Sequence, residues 1–152
     1  MLKIVCPVDG EIIIANKIKD ETFSKQMMGT TLGIIPSSES FVAPIAGQVV
    51  ICGGHAFAIQ ADNGVQVLVH IGIDTVKIDP KEKEKIFKTS IKVGKNVKQG
   101  EEIVKVDLKA IAKLGYDTTT PVVVLEESTG GKNVSFESIG PAKAGEALFS
   151  VE

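Results

Sequence analysis

The sequence predicts an all-β fold: an antiparallel β-sandwich or distorted barrel with a few short helices. Short β-branched runs recur along the chain, Pro and Gly punctuate them, and no long segment keeps an apolar helical period. A chain of 152 residues suits one domain, 1–152, and folding at that size removes roughly 68–70% of the unfolded surface from water.

Strands are expected over Lys3–Cys6, Glu11–Asn16, Leu32–Pro36, Ser40–Ala43, Gly47–Cys52, Ala56–Ala61, Val65–Ile73, Glu102–Asp107, Pro121–Leu125 and Ala147–Val151. The turns at Val8-Asp9-Gly10, Pro36-Ser37-Ser38 and Asp62-Asn63-Gly64 hold residues that tolerate tight backbone conformations. Three short helices are expected. Thr22–Met28 sets Phe23 and Met27 on one face. Asp79–Lys88 opens with Asp79 as N-cap and Pro80 at the first helical position. Leu108–Leu114 follows Asp107 as cap and stops at Gly115. The middle helix is rich in lysine but also carries Glu82 and Glu84, so it reads as a solvated face.

Two internal echoes point to pseudo-symmetric wrapping of one sheet over another. Cys6-Pro7-Val8-Asp9-Gly10-Glu11-Ile12 resembles Ala43-Pro44-Ile45-Ala46-Gly47-Gln48-Val49, and the segment from Val97 to Ile103 resembles that from Ala142 to Leu148. The second pair shares a Gly-Glu step before a strand, with Gly taking the turn conformation. Neither unit recurs at a fixed short period, so a solenoid is not expected.

Charge and cysteine usage exclude several classes. A formal net charge of −2, from 17 basic and 19 acidic residues, offers no basic stripe for nucleic acid. Cys6 and Cys52 form no CxxC pair, and they read as two reduced thiols in a cytoplasmic protein rather than as one disulfide. No apolar stretch approaches the ~20 residues of a membrane span. Met1-Leu2-Lys3 leads directly into Ile4-Val5, so neither a targeting peptide nor an anchoring helix is expected, and no direct membrane insertion.

The two histidines, His55 and His70, bracket the strongest hairpin signal, Asn63-Gly64. With those two residues as the loop, Phe57 stands opposite His70 and Gly72 opposite His55. The imidazoles are then diagonal neighbours on one face, Cα atoms roughly 7–8 Å apart or less. With Asp62-Asn63 as the loop they face each other directly. A three-residue loop breaks the same-face result unless a bulge restores it.

A close imidazole pair has three readings. It is a cross-strand or buried pair satisfied by carbonyls; or half of a metal shell, His55 and His70 with a partner ligand, which two histidines alone do not complete; or a site of phosphoryl transfer. For the last, a neutral imidazole is a nucleophile at physiological pH, because its unperturbed pKa is ~6.5. A second imidazole alongside can bond the phosphoryl oxygens or offset developing charge. Gly72 would keep that face open to a large donor. A carbonyl, that of Gly72, would accept from His70 Nδ1–H and leave Nε2 free.

The local sequence separates these readings. His55-Ala56-Phe57, Ile59, Asp62, Gly64-Val65 and the run Val69-His70-Ile71-Gly72-Ile73-Asp74-Thr75-Val76 resemble the glucose-type IIA family of the bacterial phosphoenolpyruvate:sugar phosphotransferase system. The resemblance extends over nearly the whole chain through Val42-Ala43-Pro44 with Gly47, Val93-Gly94 with Gly100, and Thr120-Pro121-Val122-Val123. It implies a β-sandwich whose shallow apolar depression holds two histidines. His70 resembles the histidine phosphorylated on Nε2, and His55 the second histidine that supports transfer. Phe23, Met27, Met28, Ile51, Leu68 and Val76 match the apolar ring, and Asp20 and Asp74 match two rim acids that meet a basic group on the donor. The implied donor is the histidine phosphocarrier protein, and the acceptor is the IIB domain of a membrane sugar permease. No cofactor is implied, and a monomer is expected.

The chain departs from the family pattern at Gly53, where a threonine is usual two residues before the first histidine. The amides of Gly53-Gly54 are expected to form a small anion-binding concavity in its place. Two other classes share features with the chain. A regulatory binding protein would use the same apolar face. A biotinyl or lipoyl carrier needs a lysine at a hairpin tip in a pattern that no tip here carries.

Overall fold

A computed structural model describes residues 1–137 and 139–152. In chain order the elements are β1 (Leu2–Val5), β2 (Gly10–Ile14), α1 (Glu21–Ser24), β3 (Gly29–Pro36), β4 (Ser40–Val42), β5 (Gly47–Cys52), β6 (Ala56–Gln60), β7 (Gln66–His70), α2 (Pro80–Ile86), β8 (Phe87–Lys88), β9 (Asn96–Val97), β10 (Glu102–Val106), α3 (Leu108–Lys113), β11 (Thr120–Leu125), β12 (Val134–Phe136), β13 (Gly140–Ala142) and β14 (Ala147–Val151). Single-turn 3-10 helices lie at Ala15–Lys17, Thr75–Lys77 and Glu126–Ser128. The expected all-β sandwich is present, and every strand pairing is antiparallel.

Eight strands form the main sheet in the order β13-β2-β3-β11-β7-β6-β5-β9, and two three-stranded sheets, β1-β14-β12 and β4-β10-β8, complete the sandwich. Alternation sorts the side chains of the main sheet. On one face Val49, Phe57, Ile59, Val67, Val69, Val122 and Val124 join Ile4, Phe41, Ile111 and Phe149 of the other layers in the principal core. On the other face Ala56, Ala58, Leu68 and Val123 make a smaller cluster with Ile18, Phe23 and Ile73. That second face carries the histidine site.

The sequence echoes meet across a local pseudo-two-fold. Val5 N–H donates to Pro44 O (2.9 Å) while Val42 N–H donates to Pro7 O (2.7 Å). Cys6 N–H donates to Glu146 O (2.7 Å) as Ala43 N–H does to Glu101 O (2.8 Å), and Gly145 and Gly100 return bonds to the carbonyls of Cys6 and Ala43 (2.9 Å each). Each Pro-containing unit is thus clamped to a Gly-Glu unit, which satisfies backbone groups at the crossing of the layers. Both cysteines are free thiols; Cys6 is buried and Cys52 partly so. Among the described residues no helix is long and apolar enough to cross a membrane.

Helix limits differ from expectation for local reasons. α1 stops at Ser24 rather than at Met28, because Gln26 adopts a φ of +53 and its side-chain oxygen accepts Thr31 N–H (3.0 Å) at the entry to β3. α2 is capped as expected, Asp79 accepting Lys81 N–H at 2.8 Å. It ends at Ile86 because Phe87 and Lys88 pair with Val106 and Lys105. Phe41, fully buried between the layers, is the residue whose truncation tests this core. Phe41→Ala is expected to cost about 3–5 kcal/mol, read as a lower denaturant midpoint with an unchanged slope.

Candidate functional site

The chain leaves β7 at His70 through a tight loop held at every step. Ile71 N–H donates to His55 O (2.6 Å), Ile73 N–H to Asp117 O (2.9 Å), and buried Thr75 Oγ1–H back to Ile71 O (2.6 Å). Gly72 turns the chain at φ +82, and a Cβ there would lie 2.5 Å from Thr75 Cγ2 and 3.1 Å from Asp117 O. Only glycine fits both the backbone sign and the space. The expectation that Gly72 lies on the strand and keeps the face open is therefore corrected: β7 ends two residues earlier and Gly72 is buried in the turn. Its carbonyl faces back to His70 Nδ1 at 2.8 Å. A carbonyl only accepts, so Nδ1 carries the proton and Nε2 of the neutral ring keeps its lone pair.

His55 reaches the same spot by a route different from the one expected. The loop between β6 and β7 has three residues: Gly64 N–H donates to Ala61 O (2.9 Å), Ala61 N–H to Val65 O (2.8 Å), and Gly64 sits at φ +92. Ala56, not Phe57, therefore pairs with His70. Strict alternation would place His55 on the opposite face. Instead it lies outside the ladder, in a turn where Gly53 N–H donates to Ala56 O (2.9 Å), His55 N–H donates to Gly53 O (3.0 Å) and Gly54 takes φ +79. That turn swings the imidazole across: the two ring centroids are 5.2 Å apart with planes at 78°. His55 Nδ1 lies 3.2 Å from Gly53 O. The Gly53 amide is spent closing this hairpin, so the expected two-amide concavity loses that donor.

Around the pair the apolar residues divide into floor and rim. Phe23 is only 7% exposed and its ring lies 5.2 Å from that of His70; Leu68 is equally buried beneath. Met27, Val76 and Ile51 are 66%, 55% and 45% exposed, and Met28 is less so. Leu68 and Ile51 are both aligned with Ala58 across β7, β6 and β5. Asp20 caps α1, accepting Phe23 N–H at 3.3 Å, and so fixes the residue that walls the histidines. Asp74 is exposed at φ +61, a conformation that Asp tolerates better than most residues, and lies 3.9 Å from Lys77 Nζ.

With this geometry in place, comparison with known proteins is decisive. Residues 2–129 match the family model for the phosphoenolpyruvate-dependent sugar phosphotransferase system, EIIA 1. The chain belongs to that family. It is 35% identical over 149 residues to the PTS system glucose-specific EIIA component of Mycoplasma capricolum, covering 97% of this chain and 93% of that one. It is 36% identical to a stretch of the glucose-specific EIICBA component of Mycoplasma pneumoniae, of which it spans 17%. The solved glucose permease IIA from Mycoplasma capricolum superposes with a TM-score of 0.87 at 34% identity, covering 97% and 94% of the two chains. As an EIIA component, the chain is a phosphotransferase component that relays a phosphoryl group in sugar uptake through a phosphohistidine. EIIA domains pass phosphate to the IIB domains of sugar permeases, and in relatives such as the beta-glucoside-specific EIIBCA component of Bacillus subtilis the EIIA part is fused to EIIB and EIIC.

Electrostatics of this EIIA site keep both rings neutral. Burial lowers the pKa of His70, against the opposing effects of the Gly72 carbonyl and of the Asp20 and Asp74 carboxylates. Burial, then His70 and Lys83, bring His55 down to about 4. Among the described residues no group of three or more His, Cys, Asp or Glu side chains is arranged to hold a metal. Sequence reasoning missed three supports. Thr75 and Asp117 shape the Gly72 turn, and Lys83 of the supposedly solvated helix has its ammonium 2.7 Å from Val76 O. Only the tertiary fold brings them to the site; the spacing within the sequence carries no sign of it.

Two outcomes follow from the loop and the charge state. Gly72→Ala is expected to cost about 1–3 kcal/mol and to disorder the His70 ring, read by thermal melting and by loss of the His70 imidazole signal. The unfolded chain binds a proton on His55 near pH 6.5 and the folded chain only near 4, so folding stability rises with pH across that window. His55→Gln is expected to flatten the fall in denaturant midpoint between pH 6.5 and 4 relative to the parent chain.

Proposed function

We propose that His70 is the residue of this EIIA domain that carries the phosphoryl group, and that Nε2 is the atom that forms the bond. The hydrogen bond from His70 Nδ1–H to the Gly72 carbonyl carries this reading, because it holds the one neutral tautomer whose nucleophilic nitrogen faces away from the loop. The donor is the histidine phosphocarrier protein, and the acceptor is the IIB domain of a membrane sugar permease. On this reading residues 1–152 act as one phosphocarrier domain, a monomer working in the cytoplasm.

The transfer balances without a proton leaving the site. The Nε2 lone pair forms the new P–N bond as the donor's P–N bond breaks and its electron pair returns to the donor nitrogen. The His70 ring takes on the positive charge that the donor ring gives up, and the Gly72 carbonyl, already accepting from Nδ1–H, steadies it. Met27, Met28, Ile51 and Val76 meet the partner and exclude water, while Phe23 and Leu68 support them from below. Asp20 and Asp74 offer the negative rim for positive groups beside the donor's phosphohistidine. His55 lies beside the landing point and bonds the phosphoryl oxygens during transfer. The Gly54 amide is the remaining backbone candidate for the same task, now that the Gly53 amide is engaged in the hairpin.

Incubation with phosphoenolpyruvate and the upstream components is expected to give an acid-labile, base-stable phosphate on His70. His70→Gln is expected to abolish that label. For His55→Gln the expected outcome is a protein that still accepts phosphate but passes it on at least about tenfold more slowly. A label that survives in His70→Gln, or normal onward transfer in His55→Gln, would contradict the assignment.

A further inference from the structure

α2 joins the two loops that carry the histidines. At its end Phe87 packs under the His55 turn, where a Cβ on Gly54 would lie 3.5 Å from Phe87 Cβ. From its middle Lys83 reaches the loop that follows His70 and donates to the carbonyl of Val76, a rim residue. Lys83 differs from its neighbours on the helix: Lys81, Glu82, Glu84 and Lys85 are exposed, while Lys83 is half-buried. Lys77 lies near Asp74 and Lys85 near Glu82, but among the described residues no carboxylate lies within ion-pair distance of Lys83. A neutral carbonyl thus holds an ammonium whose charge is uncompensated and whose other two N–H groups are free.

The site has a matching electrostatic problem. Asp20 and Asp74 suit a positively charged donor, but they oppose the phosphoryl dianion once it sits on His70. The imidazoles are neutral and offset little of that opposition. We propose that Lys83 is a positioning residue for the phosphoryl group, a fixed cation tethered at the Val76 carbonyl whose field offsets the two rim carboxylates and favours the state with phosphate on His70. The inference rests on the reading of His70 as the phosphoacceptor. The same charge reaches His55, where it opposes protonation together with His70. Across the remaining elements the charged groups that face the pair are Asp20 ahead of α1 and Asp74 in the Gly72 turn, both acting on His70.

The test compares the parent chain with Lys83→Met, Lys83→Arg and Lys85→Met. Each is equilibrated at low ionic strength with a limiting amount of phosphorylated histidine phosphocarrier protein, and the phosphate on each partner is measured by intact mass. Lys83→Met is expected to lower the partition constant toward His70 by about fivefold, an effect that shrinks as salt is added. Lys83→Arg keeps the charge and should return the constant to within about twofold of the parent; Lys85→Met removes an equal charge from the exposed face and should leave it unchanged. In the free protein, the imidazole titration of His55 followed by NMR should move up in Lys83→Met and stay in place in Lys85→Met. An unchanged partition in Lys83→Met, or an equal fall in Lys85→Met, overturns the proposal while His70 remains the acceptor. Absence of label on His70 in the parent chain overturns the underlying reading instead.

Discussion

The 2.8 Å hydrogen bond from His70 Nδ1–H to the Gly72 carbonyl is the interaction on which the chemistry of this face depends. It selects one tautomer, sets the ring plane and aims Nε2 at the rim. The bond exists because the chain reverses sharply after β7, and it reverses there because Gly72 can adopt φ +82 against Thr75 and the Asp117 carbonyl. Thr75, Asp117 and the His55 carbonyl each fix one step of that loop. The loop therefore does not need partner binding to become ordered.

Placement on the second face of the main sheet follows from how the layers divide the apolar residues. The principal core is sealed between sheets, with Phe41, Phe57, Phe149 and Ile111 at 1% exposure or less. The smaller cluster has no second sheet over it; Ile18 and Phe23 cover part, and the histidines border the remainder. Such a half-covered cluster gives enough desolvation to keep the imidazoles neutral, as the downward shifts of both histidines require. It still leaves the rings open to a protein partner. A fully buried pair would be neutral but unreachable, and a fully exposed pair would be reachable but more often protonated near pH 6.

Much of this was legible in the sequence. β5 and β14 fall where Gly-bounded β-branched runs placed them, and the caps at Asp79 and Asp107 act as their positions implied. The echoing Pro and Gly-Glu units do clamp one another. β8, β9, β12 and β13 were not legible, because each has two or three residues and owes its strand character to the partner it pairs with rather than to its own propensity. The proximity of the histidines was anticipated through a register that the chain does not use. A three-residue hairpin shifts the pairing, and the turn at Gly53-Gly54 restores the meeting of the rings by taking His55 out of the ladder. Lys83 was invisible for a different reason: the Val76 carbonyl it finds depends on how α2 docks, which no local pattern encodes.

The most direct test of the account is the protonation state of each imidazole nitrogen in the unphosphorylated protein, read by nitrogen-15 NMR near pH 7. The account predicts that His70 carries its proton on Nδ1 and that Nε2 has the signature of an unprotonated ring nitrogen, which is the nitrogen whose signal changes when phosphate arrives. A proton on Nε2, or a ring protonated at both nitrogens at that pH, would contradict it.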